Sequence, residues 1–179
     1  MDDLQALSSL VVAVGYLLGT ICAVLGVHGF KKRAENPQQY TIGYCVGNFF
    51  TGCALLASSF IYGAFSGSLG INWDGSRNGL SLSSHDIESA ASEMPNNFLT
   101  KSLTDDTKKL IIGFVFLVGA VAFIRGIYLC KDFGERRNNG GSGTAMALFH
   151  MIGGIICMNI LLFSCMFAKT FNIPHICST

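Results

Sequence analysis

The side chains in this sequence that could do chemistry are few and scattered. His28 and His150 stand near the ends of apolar runs with no carboxylate at helical spacing, so neither has the partner that a proton relay or a metal site requires. Arg125 lies about one turn from the end of its run, where a guanidinium snorkels to the interface or meets a lipid phosphate or a partner carboxylate. Asn48 and Asn159 fall inside apolar runs, the setting in which an amide cross-links helices by hydrogen bonds. The seven cysteines form no CxxC and no Cys/His metal spacing, and the first six read as small apolar helix residues. Cys177 sits in a polar tail and becomes a partner for Cys165, or for another subunit, if that tail faces an oxidising compartment. No Walker motif, HExxH, GxSxG or catalytic carboxylate pair occurs, and the glycines of NNGGSG are not followed by GK[ST]. The pattern therefore excludes the common enzyme classes and predicts no cofactor and no metal. Phospholipid is the one small molecule it invites.

The elements that carry these residues are apolar blocks. The 179 residues are 50% hydrophobic and 13% charged, with a mean hydropathy of +0.47, whereas soluble domains carry about a quarter charged residues. Residues 6–30, 41–65, 110–130 and 144–168 each form a block long enough to cross a hydrocarbon core of about 30 Å at about 1.5 Å per residue. Asp2 and Asp3 precede the first block where a secretory signal would place positive charge, so the block is expected to remain in the mature chain. Thr104 is placed to cap the third helix, with Asp105 and Asp106 favourably in its first turn.

Two short loops each carry three basic residues: Lys31, Lys32 and Arg33 in one, Lys131, Arg136 and Arg137 in the other. The positive-inside rule puts both in the cytoplasm and both termini on the far side, which in a bacterium is the periplasm. The expected architecture is all-α and integral to the membrane, with four transmembrane helices arranged as two hairpins. Residues 1–66 form the first hairpin, 67–109 a partly helical periplasmic loop, and 110–179 the second hairpin and tail. In the loop, Ile87, Ala90, Ala91 and Met94 recur at helical spacing behind a Ser83 to Asp86 capping pattern, which predicts a short amphipathic helix on the membrane or a partner. Trp73 reads as an interfacial anchor. The formal net charge of +1 gives no general basic excess for nucleic acid, so no direct sequence-specific binding to it is expected.

A shift of 100 residues aligns LLGTICAVLGVHGFKKRAEN with LVGAVAFIRGIYLCKDFGER without a gap, with five identities in twenty positions. The second and fourth blocks align poorly. Gly19 and Gly26 share a helix face, as do Gly119 and Gly126. Gly15 with Gly19, Gly43 with Gly47, and Ala122 with Gly126 add small-xxx-small pairs that let backbones approach, and the adjacent Gly153 and Gly154 belong with them. These glycines are expected at helix contacts, either within one bundle or between subunits.

GAVAFIRGIYL, GGSGTAMALFHMIGG and IICMNI, together with GYLLGTICAVLGVHGFKK, resemble the small polytopic inner-membrane components of type IVB (Dot/Icm-type) secretion systems, the IcmC/DotE-like proteins and their conjugative-plasmid relatives. The most specific piece pairs Arg125-Gly126 with a glycine-rich loop, Gly140, Gly141 and Gly143, leading into His150, Gly153, Gly154, Met158 and Asn159. The likeness covers the membrane parts and not the outer loop. It implies a non-enzymatic part of an envelope apparatus that moves DNA or protein, with other secretion-system subunits as partners. Each half, two apolar helices joined by a basic loop, also looks like the hairpin pilins of type IV secretion systems. A tandem pilin-like subunit would oligomerise, with the basic loops lining a lumen or meeting phospholipid headgroups. An independent small transporter or channel built from a duplicated two-helix unit is the alternative.

Overall fold

A computed structural model describes residues 2–38, 41–68, 80, 87–88, 104–131 and 142–171. Among them every regular element is helical: α1 Asp2–Glu35, α2 Ile42–Leu56, α3 Ser58–Ser68, α4 Asp105–Leu129, α5 Ser142–Met158 and α6 Ile160–Thr170. Asp3–Glu35 and Asp105–Leu129 are each long and apolar enough to cross a membrane, and α2 with α3 makes a third such segment if the bent pair is one span. The chain is thus an all-helical protein with the elements of a membrane protein.

Exposure follows the same logic. Leu17 and Val24 are each 61% exposed on α1, and Phe149 is 75% exposed on α5. An apolar face of this extent is stable against lipid and unstable against water. The fully buried residues of α1, by contrast, are Ser8, Gly15, Gly19, Cys22, Gly26 and Gly29, all of them small. Their spacing of mostly three and four places them in one stripe on a 3.6-residue helix.

The first helix pair follows from that stripe. Gly29 meets Cys45, Gly26 meets Phe49, and Gly19 meets Leu55 and Leu56, so α1 and α2 run antiparallel. In the second pair Gly126 meets Ala147 and Met151 while Gly119 meets Gly154 and Met158, so α4 and α5 are antiparallel as well. Between the pairs, Gly113 touches Leu4 and Gly15 touches Ile124, which makes α1 and α4 parallel neighbours. The core between the pairs gathers Leu55, Tyr62, Phe116, Phe123, Ile127 and Ile155.

Two of the expected blocks are interrupted. α2 ends at Leu56, and α3 leaves Ala57 at an angle of 76°. No proline causes this bend. The sequence there is Ala57-Ser58-Ser59, and serine pairs are among the places where helices turn sharply. The fourth block is interrupted at Asn159, whose N–H is shared between the carbonyls of Ile155 (3.1 Å) and Ile156 (3.2 Å). That bifurcated bond locally tightens the helix.

Thr104 begins α4 in an extended conformation, as expected, but its side chain makes no capping bond. Its carbonyl instead accepts from Thr107 and Lys108, and Lys108 pairs with Asp105 at 3.2 Å. Between α3 and α4, Ile87, predicted on the apolar face of a helix lying on the membrane or a partner, is instead buried in the protein's own core cluster, and Glu88 reaches Lys109 at 3.5 Å. Ser83, Asp86, Ala90, Ala91, Met94 and Trp73 lie outside the described residues.

Candidate functional site

Two backbone seams and one polar joint organise the molecule. In the first seam a Cβ on Gly26 would fall 2.6 Å from the Phe49 nitrogen, and one on Gly52 would collide with the backbone of Ala23. In the second, a Cβ on Gly126 would stand 2.7 Å from the Met151 nitrogen, and one on Gly154 would stand 2.7 Å from that of Phe123. Real Cβ atoms do not approach this closely, so each seam brings helix backbones into direct contact. Such approach is how helices associate where lipid supplies little hydrophobic drive between them.

The seams repeat one scheme. Gly19 meets Leu56 and Gly119 meets Met158, and in each case the next residue, Ala57 or Asn159, is where the second helix is interrupted. Gly52 and Gly154 take matching places, as do Phe49 and Met151 and the fully buried Cys45 and Ala147. The second and fourth blocks therefore repeat in contact geometry although they share little sequence. Each interruption faces the middle of its long partner helix.

The joint lies where the two interrupted helices meet. Asn159 donates from Nδ2 to the Tyr62 hydroxyl at 3.0 Å and to the Ile155 carbonyl at 3.0 Å, and the Tyr62 hydroxyl lies 3.3 Å from Oδ1 of the same amide. Both side chains are buried, and the Tyr62 ring stands edge-on to Phe123 with centroids 6.2 Å apart. Tyr16 and Ser59 share a hydroxyl–hydroxyl bond of 3.1 Å, which ties the bent segment to α1. Asn159 thus links helices as its position in an apolar run predicts. Asn48 does not: its amide donates to the Tyr44 carbonyl of its own helix at 2.9 Å.

The remaining predicted residues are dispersed. Gly15 packs on Ile124, and Gly47 stands against the carbonyl of Lys131. Gly43 lines an open groove, and Gly153 has no heavy atom within 4 Å of its Cβ position. Lys31, Lys32 and Arg125 are exposed, and Arg33 and Lys131 are half-buried. Lys131 places its ammonium 2.7 Å from the Tyr128 hydroxyl and over that ring. Arg136, Arg137, Gly140 and Gly141 lie outside the described residues, as does Cys177. Cys165 is held in a disulfide. His28 is exposed, and His150 Nδ1 lies 2.7 Å from the Met146 carbonyl. Among the described residues no group of three or more His, Cys, Asp or Glu could hold a metal.

Gly29, Gly52 and Tyr62 are structural residues that sequence reasoning passed over. Gly29 lies three residues after Gly26, so continuing the face already drawn through Gly19 and Gly26 would have reached it. Compared with protein-family models, with curated proteins and with solved structures, the chain matches none.

Proposed function

We propose that this chain is a non-enzymatic structural and assembly subunit of a type IVB secretion or conjugative transfer apparatus in a bacterial inner membrane. The observation that carries the reading is the repeated helix pair, since two copies of one glycine-seamed unit, each closed by a short basic connection, are what a tandem pilin-like subunit requires. The segments around Arg125-Gly126 and His150 to Asn159 supply the resemblance to that family. In this reading α2 with α3, and α5 with α6, complete four spans. The connections with Lys31, Lys32 and Arg33 and with Lys131, Arg136 and Arg137 are cytoplasmic, and both termini are periplasmic. A disulfide at Cys165, near the end of the last helix, suits an oxidising periplasm. Membrane lipids, further copies of the chain and other secretion subunits are its partners.

The test is mild detergent extraction of the tagged protein from its native membrane, with mass spectrometry of copurifying chains and electron microscopy of the particles. A ring, a filament or accompanying secretion subunits supports the reading, and a lone monomer or dimer overturns it.

One observation favours a second reading, an independent small transporter or channel. Interrupted helices at matching positions of two repeats are a recurrent design of transport sites, and Ala57 and Asn159 stand in that relation. Solute flux into vesicles containing this chain alone decides for it.

A further inference from the structure

A groove of about 480 Å³ opens along α2, lined by Ile42, Gly43, Val46, Gly47, Phe50, Thr51 and Ala54, with Cys130 from the end of α4 as its other wall. Gly43 and Gly47 leave the floor without side chains. The groove starts at Ile42, just after the connection that follows Lys31-Lys32-Arg33, and stops at Ala54, one turn before α2 bends away. That run of α2 is about 18 Å long at about 1.5 Å per residue, close to half of a hydrocarbon core about 30 Å thick.

The basic residues beside the groove lie in its half nearer Ile42. Lys131 follows the lining residue Cys130, and its carbonyl meets Gly47. Cys45 and Phe49, two residues either side of Gly47, face Gly29 and Gly26, which precede Lys31 by two and five residues. We infer that the groove is a binding site for one acyl chain of an anionic phospholipid of the leaflet next to the basic connections, with its phosphate drawn to Lys131 and the cations at the end of α1. The length of one leaflet, the apolar lining and the basic residues beside it together select a lipid. A docked transmembrane helix would need a path continuing beyond Ala54, where α2 turns. The site rests on placement in a membrane and is independent of the secretion reading.

The test uses the full chain, delipidated in detergent and offered equal amounts of phosphatidylglycerol and phosphatidylcholine, with retained lipid counted by native mass spectrometry. The expected result is one tightly retained lipid, with phosphatidylglycerol preferred about fivefold, the effect of roughly one basic residue near an anionic headgroup. Val46→Phe with Ala54→Phe fills the groove and should reduce retention about tenfold, whereas Lys131→Gln should keep a lipid but lose the preference. Phe114→Leu, on the exposed face of α4, should change neither. Equal retention of the two lipids by the unaltered chain overturns the inference without requiring any variant to fold. Undiminished retention by a folded groove-filled variant also overturns it, as does a cross-link to a second copy from a photoreactive residue at position 46.

Discussion

The Asn159 carboxamide and the Tyr62 hydroxyl, 97 residues apart in sequence, form a buried hydrogen-bonded pair at 3.0 Å. Asn159 is the residue at which the fourth apolar block is interrupted, and Tyr62 belongs to the segment that follows the bend in the second. One polar contact therefore fixes two irregular helices relative to each other, in surroundings where an unpaired amide is costly.

Replacing Tyr62 with Phe removes the hydroxyl and keeps the ring on Phe123. Unfolding in mixed micelles should show a loss of about 1 kcal/mol, and Asn159→Ala a similar loss. The double variant should lose less than the sum, by about 0.6 kcal/mol, the average measured for hydrogen bonds between transmembrane helices, and by no more than about 1.7 kcal/mol, the largest such value. Strict additivity would show that the pair contributes nothing as a pair.

Two glycines should behave oppositely. Gly26→Val drives a branched side chain into the Phe49 backbone and should cost several kcal/mol or prevent assembly, as overpacking against backbone does. Gly153→Ala meets open space and should be neutral or stabilising by up to about 1 kcal/mol, the helix propensity difference. Thermal midpoints in detergent compare the two, and equal sensitivity would mean that the seam is not where the structure puts it.

The Cys165 disulfide predicts a thiol count. In denatured, unreduced protein, labelling with a bulky maleimide should leave Cys165 unmodified, and prior reduction should add to the gel shift. The Cys165→Ser variant should show a smaller gain on reduction. Full labelling of Cys165 without reductant would remove one support for a periplasmic C-terminus.

Orientation rests on the basic connections. If the connection is cytoplasmic, as proposed, neutral residues in place of Lys31, Lys32 and Arg33 should weaken its retention on that side. A compartment reporter inserted beside it should shift part of its signal to the opposite side. A reporter that stays wholly cytoplasmic would refute the prediction.

The long helices were legible because an apolar block bounded by charge has few other solutions, as α1 and α4 illustrate. The seams were half legible. Gly19, Gly26, Gly119 and Gly126 stand out through the repeat and Gly154 through its place beside Gly153, but Gly52 lies in a block with little sequence shared with its counterpart, where backbone contact is retained by size alone. The interruptions were hidden. Neither proline nor glycine marks Ala57, the Ser58-Ser59 pair is a weak local signal, and contacts far away in sequence, Tyr16 with Ser59 and Tyr62 with Asn159, accompany the bend. Ile87 is apolar at helical spacing in the sequence, yet its destination is a core cluster assembled from distant segments, with Leu55, Tyr62 and Phe123 among its members, which no local pattern reveals.

The stripe of Ser8, Gly15, Gly19, Cys22, Gly26 and Gly29 reverses the usual map of mutational tolerance along α1. In a water-soluble helix the bulky buried positions are the intolerant ones, and small residues accept change. Here the bulky positions, Leu17, Val24 and their neighbours, face outward and should accept any apolar replacement. A saturation scan of α1 would find its deepest losses where the native side chain is smallest, so that information in this helix is written mainly in atoms that are left out.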